Sequence, residues 1–368
     1  VVYFIVNNNY QFYDVEIHLV GLNKSDVKLI EIPHTLDERE HLGFRSVFRY
    51  LPALQMGLIA QVKNYLQLIK RIDQDIVPSK EDILFFYTEF EILNQYVATR
   101  FKQAGARVYL IQDGSVGTYL PFRMVCSEPL TLKWYVKQSI YRLLPGLSRI
   151  RLHKLNGVIF PWMPDASIDG VCIYRQVTLK RAISPILLQF PLQSQLSLIP
   201  DRVIFLNEAI YGLYQTAEQY IEGLDKIIGE LYSRFNEVFF KFHPRETDEW
   251  RQRIRQEVLF RFPAVVVIEE NTAIEMMIEQ YHPFLVASYF CAALLSLPER
   301  GIESLYLYHL IPELNEQPIF QELTSVLNEL GYNFVSDFAE VNSEYKSGLL
   351  RRSISPHAIT LADLVAQR

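Results

Sequence analysis

The chain has 368 residues, 49% hydrophobic and 21% charged, with a formal net charge of −6. That composition is globular and excludes a mainly disordered chain. The acidic balance argues against a wholesale nucleic-acid binder, and three widely spaced cysteines (Cys126, Cys172, Cys291) without a CxxC argue against a disulfide scaffold or zinc ribbon.

Val1–Val6 is a continuous apolar run, which predicts a buried parallel strand, with Asn7-Asn8-Asn9 as a polar loop after it. Val27–Ile32 reads as a second strand closed by Pro33. Apolar residues at helical spacing between about Leu51 and Ile72 predict a helix. Asp82–Tyr87 is another strand, Ile92–Ala104 a helix ending at Gly105, and Arg107–Gln112 a strand leading into Asp113-Gly114. Residues from Leu143 to about Pro200 are rich in proline and read as the end of one domain plus a connection.

The alternation then restarts. Arg202–Leu206 is a strand, and Leu213 to Phe235 carries one long apolar helical stripe. Val238–Phe242 is a strand leading to His243-Pro244. Trp250–Phe260 reads as a helix, Ala264–Ile268 as a strand, Ala273–Tyr281 as a short helix, and Phe284–Ala287 as a strand entering a further helix. Strands alternating with helices mean parallel sheets with crossovers. The expected architecture is α/β: two Rossmann-like domains with a cleft between them, residues 1–195 and 196–335. A C-terminal segment, 336–368, would pack back on the first domain or form a solvated tail.

Open parallel sheets place ligands at the carboxyl ends of their strands, so the loops after Val6, Gln112, Phe242 and Ala287 hold the candidate residues. In Lys241-Phe242-His243-Pro244-Arg245, proline suits a first helical turn and predicts a helix start with free amides. His243 could then assist a phosphate leaving group, with Lys241 and Arg245 beside it. The alternative is a loop histidine next to helix-capping charges. Asp113, followed by Gly114, is placed as a general base or is a plain turn. Asn9 sits in the first of these loops. Ser288, Cys291 and Ala292 fall where small residues let a phosphate approach backbone amides, or where helix and sheet pack tightly. Cys291 as a nucleophile has no visible histidine partner. Glu275 opens a helix and could hold a ribose.

Other patterns lead nowhere. Asp73-Gln74-Asp75 has the form of a DxD metal motif but ends a helical stripe. The eight histidines form no HxxxH or HxH pair, and GxxxxGK[ST], GxGxxG and GxSxG are absent. No metal or cofactor is expected. With no apolar run of 18 residues and no signal peptide in view, the expectation is a cytoplasmic protein.

Three ordered blocks carry a resemblance. ILFFYTEFEILNQYVATRFKQAGARVYLIQDGSVGTYL resembles the stretch ending in the acidic-Asp-Gly motif of bacterial sialyltransferases. RVIFLNEAIYG through VFFKFHPRE resembles the segment with their His-Pro motif. AIEMMIEQYHPFLVASYFCAALLSL resembles their glutamate-bearing helix and Ser-Ser region. The likeness is to lipooligosaccharide sialyltransferases and bacterial polysialyltransferases, which have the GT-B architecture.

The resemblance implies an inverting, metal-independent transferase. It would move sialic acid or a related nonulosonic acid from a CMP-activated donor to a cell-surface glycan. Asp113 would be the base on the acceptor hydroxyl and His243 the partner of the departing phosphate. Glu275 would hold the ribose and Ser288–Ala292 the phosphate. The partners would be a nucleotide sugar and a glycan, without nucleic acid, with peripheral contact at the inner membrane face. Two positions depart from the pattern. Gln112 stands where the family has an acidic residue, and Cys291-Ala292 where it has Ser-Ser. These departures keep open another nucleotide-activated donor (CMP-Kdo, a nucleotide-diphosphate sugar or a CDP-glycerol type), or a catalytically weak assembly partner.

Overall fold

The computed structural model describes residues 1–36, 43–52, 57–113, 129–155, 158–190, 196–212, 215–349 and 357–367. Gly114, Cys126 and Leu213 lie outside them. The chain divides into two compact units, one from 1–113, 117–191 and 355–368, the other mainly from 192–354.

The first unit is built on a parallel sheet ordered β3-β2-β1-β4-β5-β8-β9. Its strands are β1 (Val2–Asn8), β2 (Val27–Thr35), β3 (Ser46–Arg49), β4 (Ile83–Phe86), β5 (Arg107–Ile111), β8 (Gly170–Ile173) and β9 (Pro185–Leu187). Every pairing in it is parallel. Strands β1 and β4 are covered on both faces, which is why they read as unbroken apolar runs. Phe4, Phe85 and Tyr109 stack across β1, β4 and β5 with ring centroids 5.2 and 5.5 Å apart. The helices are α1 (Asn9–His18), α2 (Leu58–Asp75), α3 (Ile92–Gln103) and α4 (Leu132–Arg142). An antiparallel hairpin of β6 (Arg151–Leu155) and β7 (Val158–Trp162) completes the set.

Several boundaries differ from expectation. Asn7 and Asn8 end β1, and Asn9 begins α1, so the three asparagines are a strand end and a helix cap rather than a loop. The Asn8 side chain accepts the Gln11 N–H at 2.9 Å, the ordinary duty of asparagine at an N-cap. Pro33 does not end β2. The β1–β2 register shifts between Val6 and Asn8, opposite this stretch, and an irregularity of that kind tolerates a residue with no N–H to donate. Helix α4 went unseen in the sequence, and β8 and β9 extend the first sheet where a connection was expected.

Helix Leu361–Ala366 packs Leu361 and Leu364 into the same core as Phe4, Val6 and Phe85. The Arg107 guanidinium donates to the carbonyls of Leu364 and Gln367 at its C-terminus. Asp73 and Asp75 end α2, where Tyr96 and Arg100 engage the first and the Tyr50 hydroxyl donates to the second at 3.1 Å.

The second unit has a parallel sheet ordered β12-β11-β10-β13-β14. Its strands are β10 (Ile199–Leu206), β11 (Glu237–Lys241), β12 (Val266–Ile268), β13 (Pro283–Ser288) and β14 (Glu303–Tyr306). This sheet and the five strands β3-β2-β1-β4-β5 of the first share the Rossmann order, with the first strand at the centre. Helix α5 (Ala217–Arg234) buries the predicted stripe of Tyr220, Leu224, Ile227, Ile228 and Leu231. Thr216 and Gln219 form a capping box at its start. Helices α6 (Asp248–Glu257), α7 (Ile274–Tyr281) and the single turn α8 (Ala293–Ser296) follow.

Candidate active site

The first unit brings the carboxyl ends of β1, β4 and β5 together through amide side chains. Gln11, on the first turn of α1, takes the Asn7 N–H on Oε1 at 2.7 Å. Its Nε2 donates to the Thr88 hydroxyl at 2.9 Å and to Asp113 Oδ2 at 2.7 Å. Asn94 of α3 ties in the same edge, donating to Asn7 Oδ1 and to the Thr88 carbonyl, both at 2.8 Å. Asp113 is therefore held, half-buried, by a neutral donor at the strand edge. Gln112 is buried beside it, and its Oε1 accepts the Tyr174 N–H at 3.0 Å. An amide at this position closes the sheet next to β8, where a carboxylate would be a buried charge. Asn9 lies on the same helix turn as Gln11.

The second unit gathers a different set. His243 follows β11, but Pro244 does not open a helix. The chain makes a tight turn, and α6 starts only at Asp248 behind its cap Thr247. The turn uses up its own amides. His243 N–H goes to Glu246 Oε2 at 2.8 Å, Glu246 N–H to the His243 carbonyl at 3.0 Å, and Arg245 N–H to His243 Nδ1 at 3.1 Å. The expected anion site on free helix amides is thus absent here, and the imidazole itself is what the turn presents. With Nδ1 accepting a backbone hydrogen bond, the proton of the neutral ring sits on Nε2. Burial, with Arg245 and Lys241 nearby, pushes His243 down to about 4.

Nε2 faces Glu208 Oε2 at 3.7 Å. Glu208 stands two residues past β10, and burial pushes it up to about 7 against the pull of a Cys291 hydrogen bond and the Arg245 charge. Burial also pushes Glu246 up to about 7, although the amide of His243 and the side chains of Asn207 and Tyr220 bond to it. The Cys291 thiol is pushed well above its ordinary value, first by burial and then by Glu208. It is a donor to Glu208, not a nucleophile.

The remaining candidates fall as follows. Lys241 is buried, and its ammonium donates to the Glu270 carbonyl at 2.6 Å. Pro244 and Arg245 are exposed on the turn. Glu275 is buried in the first turn of α7, its Oε1 accepting from Ser296 Oγ at 2.8 Å. Ser288 ends β13 fully buried, with no hydrogen-bond partner for Oγ among the described residues. Ala292 is exposed just before α8. Lys241, Glu275 and Cys291 lie within electrostatic reach of one another. Sequence reasoning missed Glu208, although it follows β10 by the same strand-end rule that led to His243. It also missed Gln11 and Thr88, which touch Asp113 only through the fold.

The family model for alpha-2,8-polysialyltransferase (POLYST) matches residues 26–309. The chain belongs to that family. It is a sialyltransferase-like glycosyltransferase, an enzyme that takes a nucleotide-activated sugar and a glycan acceptor. No match was found among curated proteins.

Among solved structures the family member is similar to the UDP-N-acetylglucosamine 2-epimerase from Rickettsia bellii, at 10% identity and a TM-score of 0.46. That match covers 83% of this chain and 78% of the epimerase. The corresponding enzyme from Methanocaldococcus jannaschii gives 11% identity and 0.44, covering 95% and 97%. The wall teichoic acid polymerase TagF gives 9% and 0.44, covering 86% and 71%. The two Rossmann-like units of the polysialyltransferase-family chain agree with the expected fold class, and no helix among the described residues is long and apolar enough to cross a membrane.

Proposed function

We propose that the enzyme transfers sialic acid, or a closely related nonulosonic acid, from a CMP-activated donor to a sialylated or other cell-surface glycan. In this reading the anomeric centre inverts and no metal takes part. The observation that carries it is the His243 ring: neutral, fixed by Arg245 N–H on one nitrogen, and presenting its Nε2 proton at a strand end beside Glu208.

A departing CMP phosphate gains charge as the glycosidic bond breaks. A phosphate monoester has a second pKa near 6, so it leaves without full protonation, and a fixed hydrogen-bond donor serves it well. His243 Nε2–H is that donor, and the exposed Arg245 adds positive charge. On the acceptor side, Asp113 takes the hydroxyl proton as the new bond forms, its carboxylate oriented by Gln11. Glu275 is assigned to the CMP ribose and the Ser288–Ala292 stretch to phosphate.

The test is a thermal-shift panel of CMP, CDP, UDP, GDP and dTDP at equal concentration, with and without EDTA. A ligand at 100 times its Kd stabilises the native state by about 2.7 kcal/mol. CMP is expected to give the largest shift, unchanged by EDTA. A larger shift with UDP, GDP or dTDP overturns the donor, and loss of the CMP shift in EDTA overturns metal independence.

A further inference from the structure

The first unit contains a cavity of about 240 Å³ whose wall includes Tyr65 of α2, Phe90 and Glu91 ahead of α3, and Trp134, Lys137 and Tyr141 of α4. It belongs to the edge that carries Asp113. Thr88, bonded to the Gln11 amide that also holds Asp113, lies two residues before Phe90 on the same β4–α3 loop. His34, near the carboxyl end of β2, also lines it.

Two features of the wall point to a ligand. First, it is aromatic: Tyr65 and Tyr141 meet edge to face at 6.3 Å, and Trp134 stands beside them. Second, the Lys137 ammonium lies 5.0 Å from the Trp134 ring and 5.4 Å from Tyr141, with no carboxylate paired to it among the described residues. Burial and the neighbouring Lys133 push Lys137 down, the mark of a cation short of a counter-ion. Glu91, also in the wall, is only 3% exposed. Its Oε2 caps α3 by accepting the Asn94 N–H at 2.8 Å, and its Oε1 is shielded from the cavity, with no hydrogen-bond partner among the described residues, so Glu91 serves the wall as a helix cap.

Ring faces suit the C–H face of a sugar, and an unpaired ammonium suits an anion. The volume lies below the roughly 300–1,000 Å³ of pockets that hold a drug-sized ligand, so it fits one ring of a longer chain. We propose that this cavity is a subsite for one carboxylate-bearing sugar ring of the acceptor glycan. The ring packs on Trp134, Tyr65 and Tyr141, and its carboxylate meets Lys137. The inference rests on the reading of Asp113 as the acceptor-side base.

The test is titration calorimetry of the full chain with disialyllactose and with neutral lactose, repeated in Lys137→Gln and Trp134→Leu, with the CMP thermal shift measured on each protein. Disialyllactose is expected to bind at least tenfold tighter than lactose. Each variant should lose at least tenfold in that affinity and keep the CMP shift; Lys137, on the half-exposed face of α4, keeps the test valid should Trp134→Leu misfold. Absence of disialyllactose binding, equal affinity for the two glycans, or unchanged affinity in both variants overturns the subsite. If the expected glycan pattern holds while CMP gives no shift, the donor assignment falls and the subsite stands.

Discussion

The two parallel sheets present their carboxyl edges with opposite chemistry. The first edge is tied by neutral amides and a hydroxyl, Asn7, Gln11, Thr88 and Asn94, with one carboxylate, Asp113, held in the mesh. The second holds groups whose charge burial has shifted: Glu208 and Glu246 pushed up to about 7, where they titrate near neutrality, and His243 pushed down to about 4, where it stays neutral. One edge fixes the carboxylate proposed as the base. The other sets protonation, so the pH response of the enzyme should come from the second unit. Each experiment below removes one side of that contrast.

The largest effects are expected at the two residues proposed to act on the reacting atoms. His243→Ala and Asp113→Ala should each lose about 10²–10⁴-fold in turnover with the fold intact by circular dichroism. A near-normal rate in either variant removes that residue from the chemistry. Next is Gln11→Ala, which removes the 2.7 Å hydrogen bond that orients Asp113 Oδ2. Misplacement of a catalytic group by about 1 Å costs as much as about 10²-fold, so a fall of about 10–100-fold in kcat is expected, with the CMP shift unchanged. Loss of CMP binding in Gln11→Ala would show that the first edge also shapes the donor site.

The strand-helix alternation was legible because parallel strands covered on both faces must be apolar throughout, as in β1, β4 and β13. The strand-end placement of His243 and Asp113 was legible because β11 and β5 end just before them, and strand ends are where ligands gather. What escaped is non-local. Helix α4 has Leu132, Tyr135 and Val136 exposed, so its apolar residues do not mark a single buried face. Gln11 acts on a residue about a hundred positions away. The turn at Pro244 looked like a helix start because proline favours one. The Glu246 carboxylate, accepting His243 N–H, closes the chain into a turn first. Gln112 and Cys291, departures from the family pattern, both have explanations in packing: one bonds Tyr174 N–H and the other Glu208.

Glu208→Gln tests the second edge by pH. Above about 7 the ionised Glu208 competes with the phosphate for the His243 Nε2 proton and repels an anionic donor. The wild-type rate should therefore fall several-fold from pH 6.5 to 8.5, with an apparent pKa that belongs jointly to Glu208 and Glu246. His243 stays neutral across that range and adds no limb of its own. In Glu208→Gln the alkaline fall should shrink markedly. An identical pH profile in wild type and variant would assign the limb elsewhere.

The smallest effect is on stability. Glu246 is raised in the folded chain, to about 7 from an ordinary 4.5, so folding favours its protonated form. Its contribution is full below the unfolded value and is lost as pH rises through the folded one, between about 4.5 and 7. His243 runs the other way: its folded value is lowered, so its contribution is present above 6.5 and lost as pH falls toward 4. Glu246→Gln removes only the first trend. It keeps an oxygen to accept the His243 amide, so the turn should survive. The loss of stability from pH 5 to pH 8 should be about 1–3 kcal/mol smaller in Glu246→Gln than in the wild type, read from urea midpoints at the two pH values. Parallel curves would mean that Glu246 is ionised through that range at no cost, its hydrogen bonds from His243, Asn207 and Tyr220 compensating fully for burial. The second edge would then owe its pH response to Glu208 alone.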